Sequence, residues 1–199
     1  LERVSYQRSD SVVLLSQDLR ANIEKKLNPK FHQRLHVIPN FVDTAAITPQ
    51  SRMTRYRSEL GIREEIVVMY AGNVGFSQSL YLMIEAARKF PSIAFVINGD
   101  GAARKKLQVD AAGIPNVYFG DYQPIERLSE VLATGDIHVV PLRAGLASVS
   151  VPSKSYSILA AGRPMLAAID IDTEIPHILM QAGAGIAVRP DDVESFIAG

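Results

Sequence analysis

From residue 66 onward the chain alternates two kinds of segment. Short apolar runs, most of them rich in β-branched residues, occupy 66–70, 93–97, 116–119, 137–140, 164–168 and 185–188. They are continuously apolar rather than alternating, which is how strands buried on both faces read. Between them, groups such as Leu80, Met83, Ile84 and Ala87, or Leu128, Val131 and Leu132, fall three and four residues apart, so each gap holds one amphipathic helix. Successive strand–helix–strand units with right-handed crossovers predict an α/β fold, a Rossmann-like doubly wound parallel sheet of about six strands.

The first 63 residues break this rhythm. Residues 11–15 and 35–38 read as strands around a helix that opens at Ser16, Gln17 and Asp18 and ends before Pro29. One strand–helix–strand unit cannot form a domain of its own. The polar stretch 44–57 carries no element in this reading, and 40–49 is the linker candidate. At the other end Asp191, Asp192 and Glu194 place negative charge where a last helix begins. Both ends read as cut from a longer protein.

Composition narrows the functional classes. With 21 Lys+Arg against 21 Asp+Glu among 199 residues, the chain does not coat nucleic acid, and its scattered Tyr and Phe make no base-stacking platform. Hydrophobic residues at 47% suit a packed chain that buries roughly 70% of its unfolded surface. The absence of cysteine excludes a disulfide framework, a thiolate metal site and a Cys nucleophile, and fits a reducing compartment. The longest uncharged stretch, 66–84, holds Gly72, Asn73, Gly75, Ser77, Gln78 and Ser79, so it is no membrane span. No basic region followed by an apolar run marks a signal peptide. Charge is uneven, with 11 Lys+Arg against 6 Asp+Glu in residues 1–63 and 10 against 15 thereafter. Arg20, Lys25, Lys26, Lys30 and Arg34 read as a solvated basic face, or more sharply as a contact for an anionic membrane surface or acidic acceptor.

Ligands of open parallel sheets sit at the carboxyl ends of the strands, so three loops matter most. The first holds Gly72, Asn73, Gly75 and Gln78, where glycines let backbone N–H groups approach a diphosphate; its plainer reading is a tight turn. The second holds Gly99, Asp100, Gly101 and Arg104, with Asp100 placed to meet a sugar hydroxyl and Arg104 open to a plain surface role. The third holds Pro152, Ser153, Lys154 and Ser157. Lys154 at a helix start opposes the helix dipole, an arrangement that makes sense if a phosphate binds there. Other constellations are poor. His32 and His36 lack a carboxylate partner at metal-ligand spacing, and His138 reads as a buried imidazole. There is no nucleophile elbow and no P-loop.

At this point the chain resembles the donor-binding, C-terminal half of a GT-B-fold retaining glycosyltransferase of family 4. The motifs stand in family order: Val37-Ile38-Pro39-Asn40-Phe41-Val42-Asp43 with Pro49, Tyr70-Ala71-Gly72-Asn73-Val74-Gly75, Val96-Ile97-Asn98-Gly99-Asp100-Gly101 with Arg104 and Leu107, Val117-Tyr118-Phe119-Gly120, Asp136-Ile137-His138-Val139-Val140-Pro141 and Ala160-Ala161-Gly162-Arg163-Pro164. The resemblance implies a remnant of an acceptor domain over 1–40, an interdomain linker over 41–63 and a nucleotide-sugar-binding domain over 64–199, cut short at its C-terminus. It implies transfer with retention from a nucleotide-diphosphate sugar, with no metal or other cofactor, to a lipid-linked acceptor in surface polysaccharide synthesis. The setting it implies is cytoplasmic, at the inner face of the cell membrane, with a missing N-terminal domain as partner. It also puts the base near Asp121 and Tyr122. The family's paired glutamates fall here on Val149 and Ser157, and its loop lysine on Gln78. Such departures, with Pro-Ser-Lys before the helix, resemble the fucosamine- and colanic-acid-type transferases. Ser153 and Lys154 are then expected on the diphosphate and Ser157 at the ribose. The same scaffold also serves nucleotide-sugar epimerases, and the lost glutamates suit a non-catalytic nucleotide-binding module. An NAD-dependent oxidoreductase is further off, because Gly72 and Gly75 lack its glycine spacing.

Overall fold

The computed structural model describes residues 2–199. Its elements run α1 (Glu2–Arg8), β1 (Val12–Leu14), α2 (Gln17–Glu24), β2 (Leu35–Val37), α3 (Arg55–Glu59), β3 (Ile66–Ala71), α4 (Tyr81–Lys89), β4 (Ile93–Asn98), α5 (Arg104–Asp110), β5 (Val117–Gly120), α6 (Leu128–Thr134), β6 (Ile137–Pro141), α7 (Lys154–Ala160), β7 (Met165–Ala168), α8 (Glu174–Ala182), β8 (Gly185–Val188) and α9 (Val193–Ala198). Short 3-10 turns cover Pro29–Arg34 and Ile125–Arg127.

Six strands form one parallel sheet in the order β5-β4-β3-β6-β7-β8. Both faces are covered, which is why its strands show no alternation in the sequence. On β3, Val68 and Tyr70 join the core with α4, α5 and α9, while Val67 and Met69 join the opposite core with Tyr56 and Val131. Burying one such side chain is worth about 1.5–3 kcal/mol, and Val67, Met69 and Tyr70 are all fully enclosed. The order reverses between β3 and β6, so the loops leaving these neighbouring strands diverge and open a crevice.

Each expected strand is present, with boundaries within a residue of those expected. Asn116 stands just before β5: its backbone carbonyl accepts from Phe95 N–H at 2.8 Å, and its carboxamide donates to the carbonyls of Ala87, Phe90 and Ile93 at 2.8–3.1 Å. The stretch expected to be elementless contains α3, started by the Thr54 hydroxyl, which accepts from Arg57 N–H at 3.0 Å. Tertiary contacts hold this five-residue helix: Thr54 and Thr134 hydroxyls pair at 2.6 Å, and Tyr56 N–H donates to Glu130 at 2.8 Å. Ile47 is buried against α7 and β7, and Ser129 bonds both Ala46 and Thr48. Ile47, Thr54, Tyr56 and Arg57 thus anchor the 41–63 stretch on the large sheet's domain.

The expected N-terminal unit is there too. Strands β1 and β2 pair in parallel, and Ser16 caps α2 by accepting from Leu19 N–H at 3.1 Å. Its small core of Leu14, Ile23, Leu27 and Leu35 leans on the rest through two long-range bonds. Asn22 donates to Ser148 at 3.3 Å, and the Asp18 carboxylate accepts from Glu174 N–H at 2.9 Å. The first N–H of α8, whose own N-cap Thr173 makes no side-chain cap, is satisfied from 156 positions away. Among the described residues no helix is long and apolar enough to cross a membrane.

Candidate functional site

The crevice at the sheet's reversal point is a cleft of about 510 Å³. One wall is the loop after β3, with Gly72, Asn73 and Gln78; the other runs from Pro141 and Leu142 to Ser153, Lys154 and Ser157. Phe41, 92% exposed, overhangs it from the segment after β2. A smaller hollow of about 150 Å³ shares Gly72, Lys154 and Ser157 and adds Asn98, Tyr122 and Gln123. A further hollow of about 350 Å³ lies at the amino ends of the strands, lined by Phe90, Ile137, Met165 and Phe196 and lacking titratable side chains.

The loops after β3, β4 and β5 are stacked into a single block. Gly72 N–H donates to Asn98 O at 2.9 Å, Val74 N–H to Asp100 O at 2.8 Å, Gly99 N–H to Gly120 O at 2.9 Å and Ala103 N–H to Val74 O at 3.0 Å. Close approach explains two glycines directly. A Cβ on Gly99, whose φ is +128°, would strike the Gly72 carbonyl, and one on Gly101, at φ +154°, would strike that of Val74. The N–H groups of the other two loop glycines are also taken: Gly75 donates to Gln78 Oε1 at 3.1 Å and Gly101 to Asp100 Oδ1 at 2.8 Å. Arg104 clamps the block from behind, bonded to Gly99 O, to Gly120 O at 3.1 Å and to the Asp121 carboxylate at 2.7 Å.

Lys154 is built differently. Its amine projects from the start of α7 to Gly72, where an added Cβ would lie 2.8 Å from Nζ, and sits 3.7 Å above the centre of the Tyr70 ring. Among the described residues no carboxylate pairs with it, and burial pushes its pKa down to about 7. A half-buried cation without an anionic partner, at the reversal point of a doubly wound sheet, is chemically suited to receive an anion. Nearby His138 is enclosed on β6, with Nε2 on Leu132 O at 2.8 Å and burial lowering its pKa to about 4, so it stays an uncharged core group.

Of the residues singled out in the sequence, Gly72, Asn73, Gln78, Pro152, Ser153, Lys154 and Ser157 line the cleft and Tyr122 the adjoining hollow. Gly75 lines a separate depression with Gln78, while Gly99, Asp100, Gly101, Arg104 and Asp121 belong to the loop stack. Val149 faces the N-terminal unit beside Val13 and Leu15. Tyr70, Phe41 and Asn98, which the sequence offered only as parts of motifs and not as site residues, also reach the site, since nothing in a strand or linker pattern marks which of its residues line a cleft. Among the described residues no group of three His, Asp or Glu side chains converges as a metal site.

The chain is 34% identical over 138 residues to WcaI of Escherichia coli K12, named for colanic acid biosynthesis glycosyl transfer, covering 67% of this chain and 34% of WcaI. It is 29% identical over 195 residues to WbjE of Pseudomonas aeruginosa, named as a glycosyltransferase, covering 94% of this chain and 48% of that protein. The crystal structure of Anabaena HepE with UDP and glucose superposes at a TM-score of 0.76 and 17% identity, over 98% of this chain and 53% of HepE. The chain thus spans between a third and about half of the length of these proteins. Residues 65–199 match the family model described as glycosyl transferases group 1, and the chain belongs to that family.

Proposed function

We propose that this chain carries the donor-binding half of a retaining glycosyltransferase of bacterial surface polysaccharide synthesis. It takes a nucleoside-diphosphate sugar in the cleft between the β3 loop and α7, and the acceptor, a lipid-linked saccharide, comes from the side of the absent domain at the membrane surface. The single observation that carries this reading is the unpaired Lys154 amine at the reversal point of the sheet. The UDP and glucose in HepE and the naming of WcaI and WbjE for glycosyl transfer agree with it.

The chemistry follows from charge. As the glycosidic bond breaks, negative charge grows on the departing diphosphate, and the Lys154 ammonium stabilises it more than it stabilises the intact donor. Ser153 and Ser157, whose residues line the same cleft, supply hydroxyls for the phosphates and the ribose. The departing diphosphate takes the acceptor's proton, so this half needs no general base and no metal. A second reading, a nucleotide-binding module without turnover, is favoured by Val149 and Ser157 standing where the family carries glutamates. Turnover by the full-length protein with a lipid-linked acceptor separates the two.

Calorimetric titration of the chain with UDP, GDP and ADP tests donor binding. Saturable binding of one nucleotide without magnesium, weakened at least about tenfold in Lys154→Ala, is the expected result. No binding of any nucleotide at millimolar concentration contradicts it.

A further inference from the structure

We infer that Tyr70 is a positioning residue for the donor diphosphate: its ring face holds the Lys154 amine against Gly72 with no carboxylate to compete for it, so that its ammonium form is left open to an incoming anion. This rests on the donor-site reading above. Tyr70 is fully buried at the end of β3, and its hydroxyl donates to Asn73 O at 2.5 Å, so the ring cannot swing away from the loop. Lys154 Nζ lies 3.7 Å from the ring centre, in a slot that exists because Gly72 has no side chain. The groups facing Lys154 from the packed elements are Tyr70 on β3, Tyr122 after β5 and the enclosed His138 on β6; none is a carboxylate.

The alternative support for a buried lysine is an acidic partner, and the two differ in what they leave for a ligand. A carboxylate neutralises the ammonium, repels phosphate and must be displaced before the ligand can bind. An aromatic face attracts the cation through its quadrupole without cancelling its charge. The Tyr70 hydroxyl also ties the ring to the first glycine loop, so the cation and the Asn73 side of the cleft are held in one register. Tyr70 touches no substrate in this account; it acts through Lys154.

The test uses UDP and uridine as paired probes, since only UDP carries phosphate. Tyr70→Leu weakens UDP about tenfold and leaves uridine unchanged, whereas Tyr70→Phe, which keeps the ring, stays within about twofold of the parent. Combined with Lys154→Met, Tyr70→Leu costs UDP binding nothing more, because the ring has lost its cation. Where Tyr70→Leu fails to fold, phenylalanines of increasing fluorination at position 70 keep the shape and drain the ring face, and UDP affinity falls stepwise with fluorine count. A purely structural role leaves that series flat, and a flat series overturns the inference. If Lys154→Met weakens UDP while the series is flat, donor binding stands and the role of Tyr70 is refuted. If UDP does not bind the parent chain at all, both fall. A readout independent of nucleotide is the pH midpoint of Lys154 acetylation, followed by mass spectrometry. It falls below about 7 in Tyr70→Leu, because the buried ammonium has lost the ring face that favours its charged form, and an unmoved or raised midpoint counts against the clamp.

Discussion

Across the cleft, the stacked loops after β3, β4 and β5 have their glycine N–H groups paired within the chain, while the facing wall from β6 to α7 holds an ammonium with no anionic partner. The first wall is glycine-rich and the second is not, so a reading by motif alone assigns ligand contact to the first. The geometry divides the labour otherwise. Glycines at 99 and 101 are there so that the loop after β4 can lie against the loop after β3, and the charge left free to meet a ligand stands on the opposite wall.

The largest expected effect breaks the first wall. Gly99→Ala sets a methyl group against the Gly72 carbonyl at a φ that L-residues avoid, and lowers unfolding free energy by about 3 kcal/mol in urea titration. Lys154 sharpens the contrast through pH. In the folded chain its amine gives up its proton near pH 7, whereas the unfolded chain keeps one until about 10.5. Between these values the unfolded state binds more protons, so stability rises with pH, by about 2 kcal/mol from pH 7 to 9; below pH 7 both states are charged and the folded one carries the burial cost in full. Lys154→Met flattens that slope while weakening UDP, an outcome that separates a ligand-binding residue from a scaffold residue.

Arg104→Gln removes the clamp behind the loop stack. It lowers stability by about 1–2 kcal/mol, read from the midpoint of thermal unfolding, with a few-fold loss of UDP affinity following from the loosened wall. The smallest effect belongs to Ser153→Ala. Ser153 is exposed and makes no side-chain cap on α7, so stability changes by less than about 0.5 kcal/mol while UDP weakens a few-fold.

What the amino-acid sequence made legible follows the same division. The six strands of the large sheet were readable because burial on both faces leaves unbroken apolar runs, and Lys154 because a lysine at a helix start works against the helix dipole. Helix α3 was not, since five residues fixed by Thr134 and Glu130 from α6 carry too little periodicity. Tyr70 was hidden for a related reason. In sequence it is one more apolar residue of β3, and its use as a platform exists only once α7 has brought Lys154 over the ring. The capping of α8 by Asp18 is another pairing of distant residues that no local pattern announces.

The most direct test of the account is the proton count on UDP binding at pH 8, measured by titration calorimetry in buffers of different ionisation enthalpy. With Lys154 near pKa 7 in the free chain and paired to the diphosphate in the complex, about 0.9 proton is taken up per UDP, and Lys154→Met abolishes the uptake. UDP binding with no proton uptake, or uptake that persists in Lys154→Met, would contradict the assignment of the diphosphate to this wall of the cleft.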